Sequence, residues 1–169
     1  ALRRYGVELR EDCWITNAVI CRPPKNKLPP RAVTYCQPNL IRTVEELQPK
    51  AILVLGGSPL KSLFSWLWKE APGGITRWAG QQIPCQQINA WLCPTWHPSY
   101  LLHEREREDG SQRPNEALEL YFDQHVKNFC SHRERPWKEV PNYEKQVRIF
   151  QNPDQAVPHI KAMKESDSL

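Results

Sequence analysis

Apolar positions along the chain fall into short runs that predict alternating strands and helices. Residues 13–20 (Cys-Trp-Ile-Thr-Asn-Ala-Val-Ile) form a β-rich apolar run and read as a buried strand. Asn17 interrupts that run. A buried Asn needs partners for both its carbonyl and its amide, so it is either a structural cross-link or a reader of a ligand. Over residues 31–48, Leu40, Ile41, Val44 and Leu47 recur at helical spacing. Pro38 kinks this helix or marks its start, and Pro49 ends it. Residues 51–55 (Ala-Ile-Leu-Val-Leu) are wholly apolar and lie between two helical patterns, as a buried parallel strand does. Gly56-Gly57-Ser58-Pro59 then predicts a tight turn into a helix, with Ser58 as cap and Pro59 in the first position. Leu60, Leu63, Phe64 and Leu67 make its apolar face. Ile83 and residues 88–93 predict a hairpin. Asn115 predicts the cap of a helix whose apolar face is Leu118, Tyr121, Phe122, Val126 and Phe129.

The hairpin leads into Pro94-Thr95-Trp96-His97-Pro98-Ser99-Tyr100-Leu101-Leu102. A His between prolines cannot sit inside a helix, so His97 belongs to a stiff loop at a strand end. In open α/β sheets such loops bind ligands. Tyr100, Leu101 and Leu102 place three large side chains in the same loop. An apolar tip beside a positioned His suits an enzyme that flips a base out of a duplex; the alternative is a buried His turn with leucines that begin a core helix. The Gly56 turn has two readings as well. It is an ordinary strand-to-helix connection, or its free N–H groups hold an anion such as a DNA phosphate.

Composition changes this picture little. With 169 residues the chain can build one domain with a real core. The net charge of +4 is compatible with nucleic acid, and Arg22, Lys25, Lys27 and Arg31 gather in a Pro-rich loop without an acidic residue. That loop is a DNA contact or a solvated connector. No apolar run approaches the ~20 residues needed to span a membrane, and no signal-peptide pattern occurs, so we expect a cytoplasmic protein without membrane contact. Six cysteines without a secretory signal favour reduced thiols or metal ligands over disulfides. The alternating charges of residues 103–113 read as a solvent-facing insertion. The expected organisation is a domain over 1–136, a charged linker over 137–145, and the start of a following domain over 146–169. In that last part residues 146–150 are a short strand, and Asn152-Pro153-Asp154 starts a helix that ends near Met163. Leu2, Tyr5 and Leu9 suggest that the chain opens inside a helix, and we expect it to be a piece of a longer protein.

With these residues in view, the chain resembles the uracil-DNA glycosylase superfamily, in its iron–sulfur branch often called family 4. Four pieces carry the resemblance in order: Ile15-Thr16-Asn17 running into Cys21-Arg22-Pro23-Pro24-Lys25-Asn26, then Cys36 with Pro38 and Leu40, then Leu55-Gly56, then Pro94-Thr95 with His97 to Leu102. Together they cover roughly residues 5–130. The resemblance implies a three-layer α/β/α sandwich with a mostly parallel central sheet, its N-terminal strand missing here. It implies hydrolysis of the N-glycosidic bond of deoxyuridine in DNA, as in base excision repair.

Residue by residue, Asn17 matches the asparagine that reads uracil and His97 the histidine that donates to uracil O2. Gly56, Ser58 and Ser99 fall in the substrate-binding turns, and Leu101 matches the residue that enters the duplex. Arg22, Lys25 and Lys27 lie where DNA phosphates would be met. Cys21 and Cys36 match two of the four thiolates of a [4Fe–4S] cluster. The family's first motif, with a water-activating carboxylate, a uracil-stacking aromatic and the other two cysteines, has no counterpart in the chain; Cys13, Cys85, Cys93 and Cys130 do not match those ligands. A different class of function remains open: a glycosylase-like module that binds DNA without cleaving it. A second, shorter resemblance concerns Val147-Arg148-Ile149-Phe150 and the segment after Asp154. These look like the lead-in to the proofreading exonuclease of a family A DNA polymerase, which would make a fused polymerase a partner in DNA replication.

Overall fold

In the computed structural model, residues 1–23, 25, 27–29, 31–103, 115–142, 145 and 147–166 are described. The expected insertion lies outside them apart from His103. The chain divides into two compact units, Ala1–Lys138 and Glu139–Leu169.

Among the described residues the first unit is built on a three-stranded sheet. Strand β1 (Ala51–Leu55) pairs in parallel with β3 (Ala90–Thr95), and β3 pairs antiparallel with β2 (Ile83–Cys85), giving the order β1-β3-β2. The predicted hairpin is β2–β3. The sheet is mixed, one parallel and one antiparallel pairing, where a mostly parallel one was expected. Helices α1 (Ala32–Leu47) and α2 (Gly57–Leu67) cover one face. There Leu40 and Val44 of α1 and Leu60, Leu63, Phe64 and Leu67 of α2 pack with Val54 and Leu92 into the core. Side chains alternate across a strand, so Thr95 points to the opposite face, where its hydroxyl meets His125 of α4 (Glu116–Ser131). Helix, sheet and helix are therefore the three layers.

Two prolines sit inside elements. Pro38 is in the second turn of α1, not at its start. Pro94 lies within β3, a central strand. In the β1–β3 ladder the N–H of Trp91 donates to Lys50 and the N–H of Gly56 to the carbonyl of Thr95, so residues 92 and 94 turn their backbone groups away from β1. The short β2 ends opposite Leu92, and beyond it the N–H of Gly80 donates to the Pro94 carbonyl at 2.9 Å. The missing proline donor thus leaves no ladder position empty.

Residues 13–20 do not form the expected strand. They make no backbone hydrogen bond to any described residue, and Trp14, Ile15 and Ile20 are exposed. An apolar run becomes a strand only when a ladder partner satisfies its N–H and C=O groups. Residues 15–19 of this run share a cleft with Leu53 and Leu55 of β1 but form no ladder with it. The chain start is a single 3-10 turn, Leu2–Tyr5, stopped by Gly6 at φ 71° and tied to α4 by Arg4 and Tyr5 on Asp123. At α2 the cap residue is Gly56, with Ser58 and Pro59 already inside the helix. Asn115 caps α4 as predicted, accepting from the Leu118 N–H at 3.1 Å, but Tyr121 is exposed; Val126 and Cys130 are the buried members of that face.

In the second unit helix α5 (Pro153–Ser166) starts at Pro153, with the Asn152 side chain accepting from the Asp154 N–H at 2.9 Å. It runs past Met163. Residues 147–150 form no strand; Val147 and Ile149 are exposed without a ladder partner. No described helix is long and apolar enough to cross a membrane.

Candidate active site

The carboxyl ends of β1 and β3 lie side by side, with Leu55 opposite Thr95 in register. A turn leaves each end, and between these turns and residues 15–19 lies a cleft of about 420 Å³. Asn17, Gly56, Ser58 and His97 line it, residues more than 70 positions apart at the extremes. Ile15, Leu28, Leu53 and Leu55 give it apolar wall beside these polar groups. No carboxylate lines it among the described residues.

Gly56 makes the close approach possible. Its backbone sits at φ 91°, ψ −178°, a region that is essentially glycine-only. A Cβ built on it would lie 3.1 Å from the Cβ of His97. The turn therefore brings the α2 N-terminus against His97 with no side chain between them. Gly57 and half-buried Ser58 follow as the first residues of α2.

His97 is exposed and ends the β3 loop, as the flanking prolines predict. The Ser99 N–H donates to its Nδ1 at 3.1 Å, and the Ser99 hydroxyl lies 2.7 Å from the same nitrogen. A backbone N–H cannot accept, so Nδ1 carries a lone pair and the proton of the neutral ring is assigned to Nε2. The ring thus presents one N–H donor on the side away from Ser99. That gives Ser99 a definite place, behind the histidine.

Asn17 was expected to be buried with both ends of its amide engaged. Instead it is exposed on the cleft wall and makes no hydrogen bond to a described residue. Tyr100, Leu101 and Leu102 were expected in a loop; they form the short helix α3 (Pro98–His103). Leu101 is half-buried there and does not line the cleft, while Tyr100 and Leu102 stand more exposed.

Arg22, Lys25 and Lys27 are exposed in the loop before α1, and Leu28 of the same loop reaches the cleft. The basic loop and the cleft are thus neighbours. Cys21 is exposed and Cys36 half-buried on α1; both are free thiols. Among the described residues no group of three or more His, Cys, Asp or Glu side chains forms a metal site. The remaining thiols differ in character: burial pushes the Cys93 thiol up to about 12, with Cys130 beside it adding to the shift.

Leu28, Leu53 and Leu55 were missed as cleft residues, and so was the pair Thr95–His125 behind the loop. Thr95, a polar residue at the end of an apolar run and two positions before His97, was the available signal.

The family model of the uracil DNA glycosylase superfamily matches residues 4–122. Among curated proteins, the chain is 37% identical over 106 residues to the type-4 uracil-DNA glycosylase of Pyrobaculum aerophilum, covering 62% of this chain and 54% of that protein. It is 36% identical over 113 residues to the type-4 uracil-DNA glycosylase of Thermotoga maritima, covering 63% and 53%. Its identity to the one from Sulfurisphaera tokodaii is 34% over 101 residues, covering 58% and 45%. The chain spans about half the length of the curated relatives it matches.

Proposed function

The chain belongs to the uracil-DNA glycosylase superfamily, and we propose on that footing that the whole protein hydrolyses the N-glycosidic bond of deoxyuridine in DNA. The observation that carries the proposal is the meeting of Asn17, Gly56, Ser58 and His97 in one cleft. An Asn amide there would donate to uracil O4 and accept from N3–H. Cytosine offers the opposite pattern, and a mismatch leaves polar groups unpaired at about 1–3 kcal/mol each. When the bond from N1 to C1′ breaks, its electron pair stays on the base and charge gathers on O2. The Nε2–H of His97 is the donor for that oxygen, its ring fixed by Ser99. Water adds to C1′, releasing free uracil and leaving an abasic site. The group that activates this water is not among the residues that line the cleft. A further strand paired to the outer edge of β1 would be the place to supply it.

Arg22, Lys25 and Lys27 fit as phosphate contacts, and Leu101 as the side chain that enters the duplex, with Leu102 beside it on the same short helix. Cys21 and Cys36 would give two thiolates to a [4Fe–4S] cluster. The described residues do not assemble a four-thiolate site. We place the glycosylase domain over 1–136, a linker over 137–145 and a following domain from 146; the end of the first compact unit at Lys138 supports the first boundary. The relatives are named for a glycosylase alone, which leaves the polymerase reading of the tail resting on residues 147–150 and α5.

The test is direct. Full-length protein incubated with an oligonucleotide carrying one uracil should release free uracil and leave an alkali-labile site. The same oligonucleotide with thymine should stay intact. Tight DNA binding without uracil release would instead assign the cleft to a non-cleaving module.

A further inference from the structure

On the face of the sheet away from the main core, His125 of α4 touches both residues that precede His97. The Thr95 hydroxyl lies 3.0 Å from His125 Nδ1, and the Trp96 ring stands 5.2 Å from the His125 ring, tilted by 33°. Thr95 is fully buried. His125 is its only side-chain partner among the described residues, so this bond is what satisfies the buried hydroxyl. Burial lowers the His125 pKa from its ordinary 6.5, which favours the neutral imidazole.

The seat of this ring is built as well. Gly80, at φ +86°, would place a Cβ 2.5 Å from His125 Nε2, so only glycine leaves room for the imidazole. The same Gly80 closes the proline end of β3 through its N–H. On the other side of the strand end, the Thr95 carbonyl accepts from Gly56, the residue against which His97 is packed. Besides Ser99 on its ring, His97 therefore has two backbone supports: the Gly56 turn, and the dipeptide Thr95–Trp96 held by His125.

We propose that His125 is a positioning residue, which with Thr95 fixes the end of β3 and thereby aims His97 into the cleft. The inference rests on the proposed glycosylase reading for its consequence in rate, but its geometry is independent of that reading. A ligand-facing donor displaced by about 1 Å can lose on the order of 100-fold in rate, and loosening Thr95 would produce part of such a shift.

Two readouts on the full-length protein test it. In Thr95→Val the hydroxyl is gone while the shape is nearly kept; single-turnover uracil release should fall about tenfold, with the DNA concentration for half-saturation little changed. Thr95→Ser restores the hydroxyl and should restore the rate. Independently of activity, the imidazole nitrogen spectrum of His97 should show one tautomer, protonated at Nε2, in the parent and the Ser variant, and an averaged or broadened signal in the Val variant. His125→Asn, whose side-chain amide can still bond the Thr95 hydroxyl, should stay closer to the parent than His125→Leu, and replaces the Thr95 pair if Thr95→Val does not fold. If the parent releases no uracil, the function fails while the His97 spectra still decide the positioning role. If Val and Ser variants give the same His97 spectrum and the same rate, the positioning role is overturned.

Discussion

Two adjacent glycines should respond to alanine in opposite directions. Gly56 holds φ 91° and ψ −178°, a conformation that costs a non-glycine residue about 1–3 kcal/mol. Its new methyl would also stand 3.1 Å from the His97 Cβ, so His97 must give way by a few tenths of an ångström. Gly57 has open space around it and no positive φ, and lies in the first turn of α2. Alanine there should stabilise by about 0.4–1 kcal/mol, by narrowing the unfolded ensemble. For a chain of this size 1 kcal/mol moves the melting midpoint by about 2–4 °C. Gly56→Ala should thus melt lower than the parent by roughly 2–12 °C, and Gly57→Ala slightly higher. Because the Gly56 methyl presses on the proposed donor, uracil release should also fall about tenfold or more, by the sensitivity of catalysis to small misplacements. Thermal denaturation followed by circular dichroism, with single-turnover assays on the same samples, measures both. Equal melting and equal rates for the two alanine variants would refute the argument that Gly56 exists to let His97 approach.

The basic loop and the thiols give two further tests. Lys25→Ala/Lys27→Ala should reduce the slope of log affinity against log salt by about 2, near 1 for each phosphate left without its cation; an unchanged slope would make the loop a solvated connector. Full-length protein prepared without oxygen should be brown from thiolate-bound iron. Cys21→Ser or Cys36→Ser should bleach it and Cys130→Ser should not; iron-free, folded parent protein would contradict the cluster.

Elements whose signal is local were legible in the sequence. The apolar run of β1, the spacing along α1 and α2, and the Asn115 cap all depend on residues within a few positions of each other. Residues 13–20 carry an equally apolar pattern, but a strand exists only through its partner, and the pattern says nothing of whether one is at hand. Pro94 argued for a strand end; the strand continues through it because its absent donor falls beyond the end of β2. Tyr121 has helical spacing with the core face yet lies at its margin. In the candidate site, the flanking prolines marked His97 as a loop residue and the glycine pair marked the turn. Which glycine mattered was not legible, since Gly56 and Gly57 differ only in backbone angle and in what stands opposite. His125 carried no sequence signal of its own. Its role depends on Thr95, thirty residues earlier, reaching it across the sheet.

The central claim is that Asn17 and His97 serve one pocket, the first reading the base and the second stabilising the charge it leaves with. The most direct measurement is single-turnover uracil release by full-length His97→Ala, together with its affinity for uracil-containing DNA. A donor that acts chiefly in the transition state should cost about 100-fold or more in rate when removed, with affinity little changed. Asn17→Asp should be as damaging, and it is the variant in which weak release of cytosine would appear. A His97→Ala protein that releases uracil at the parent's rate would contradict the account.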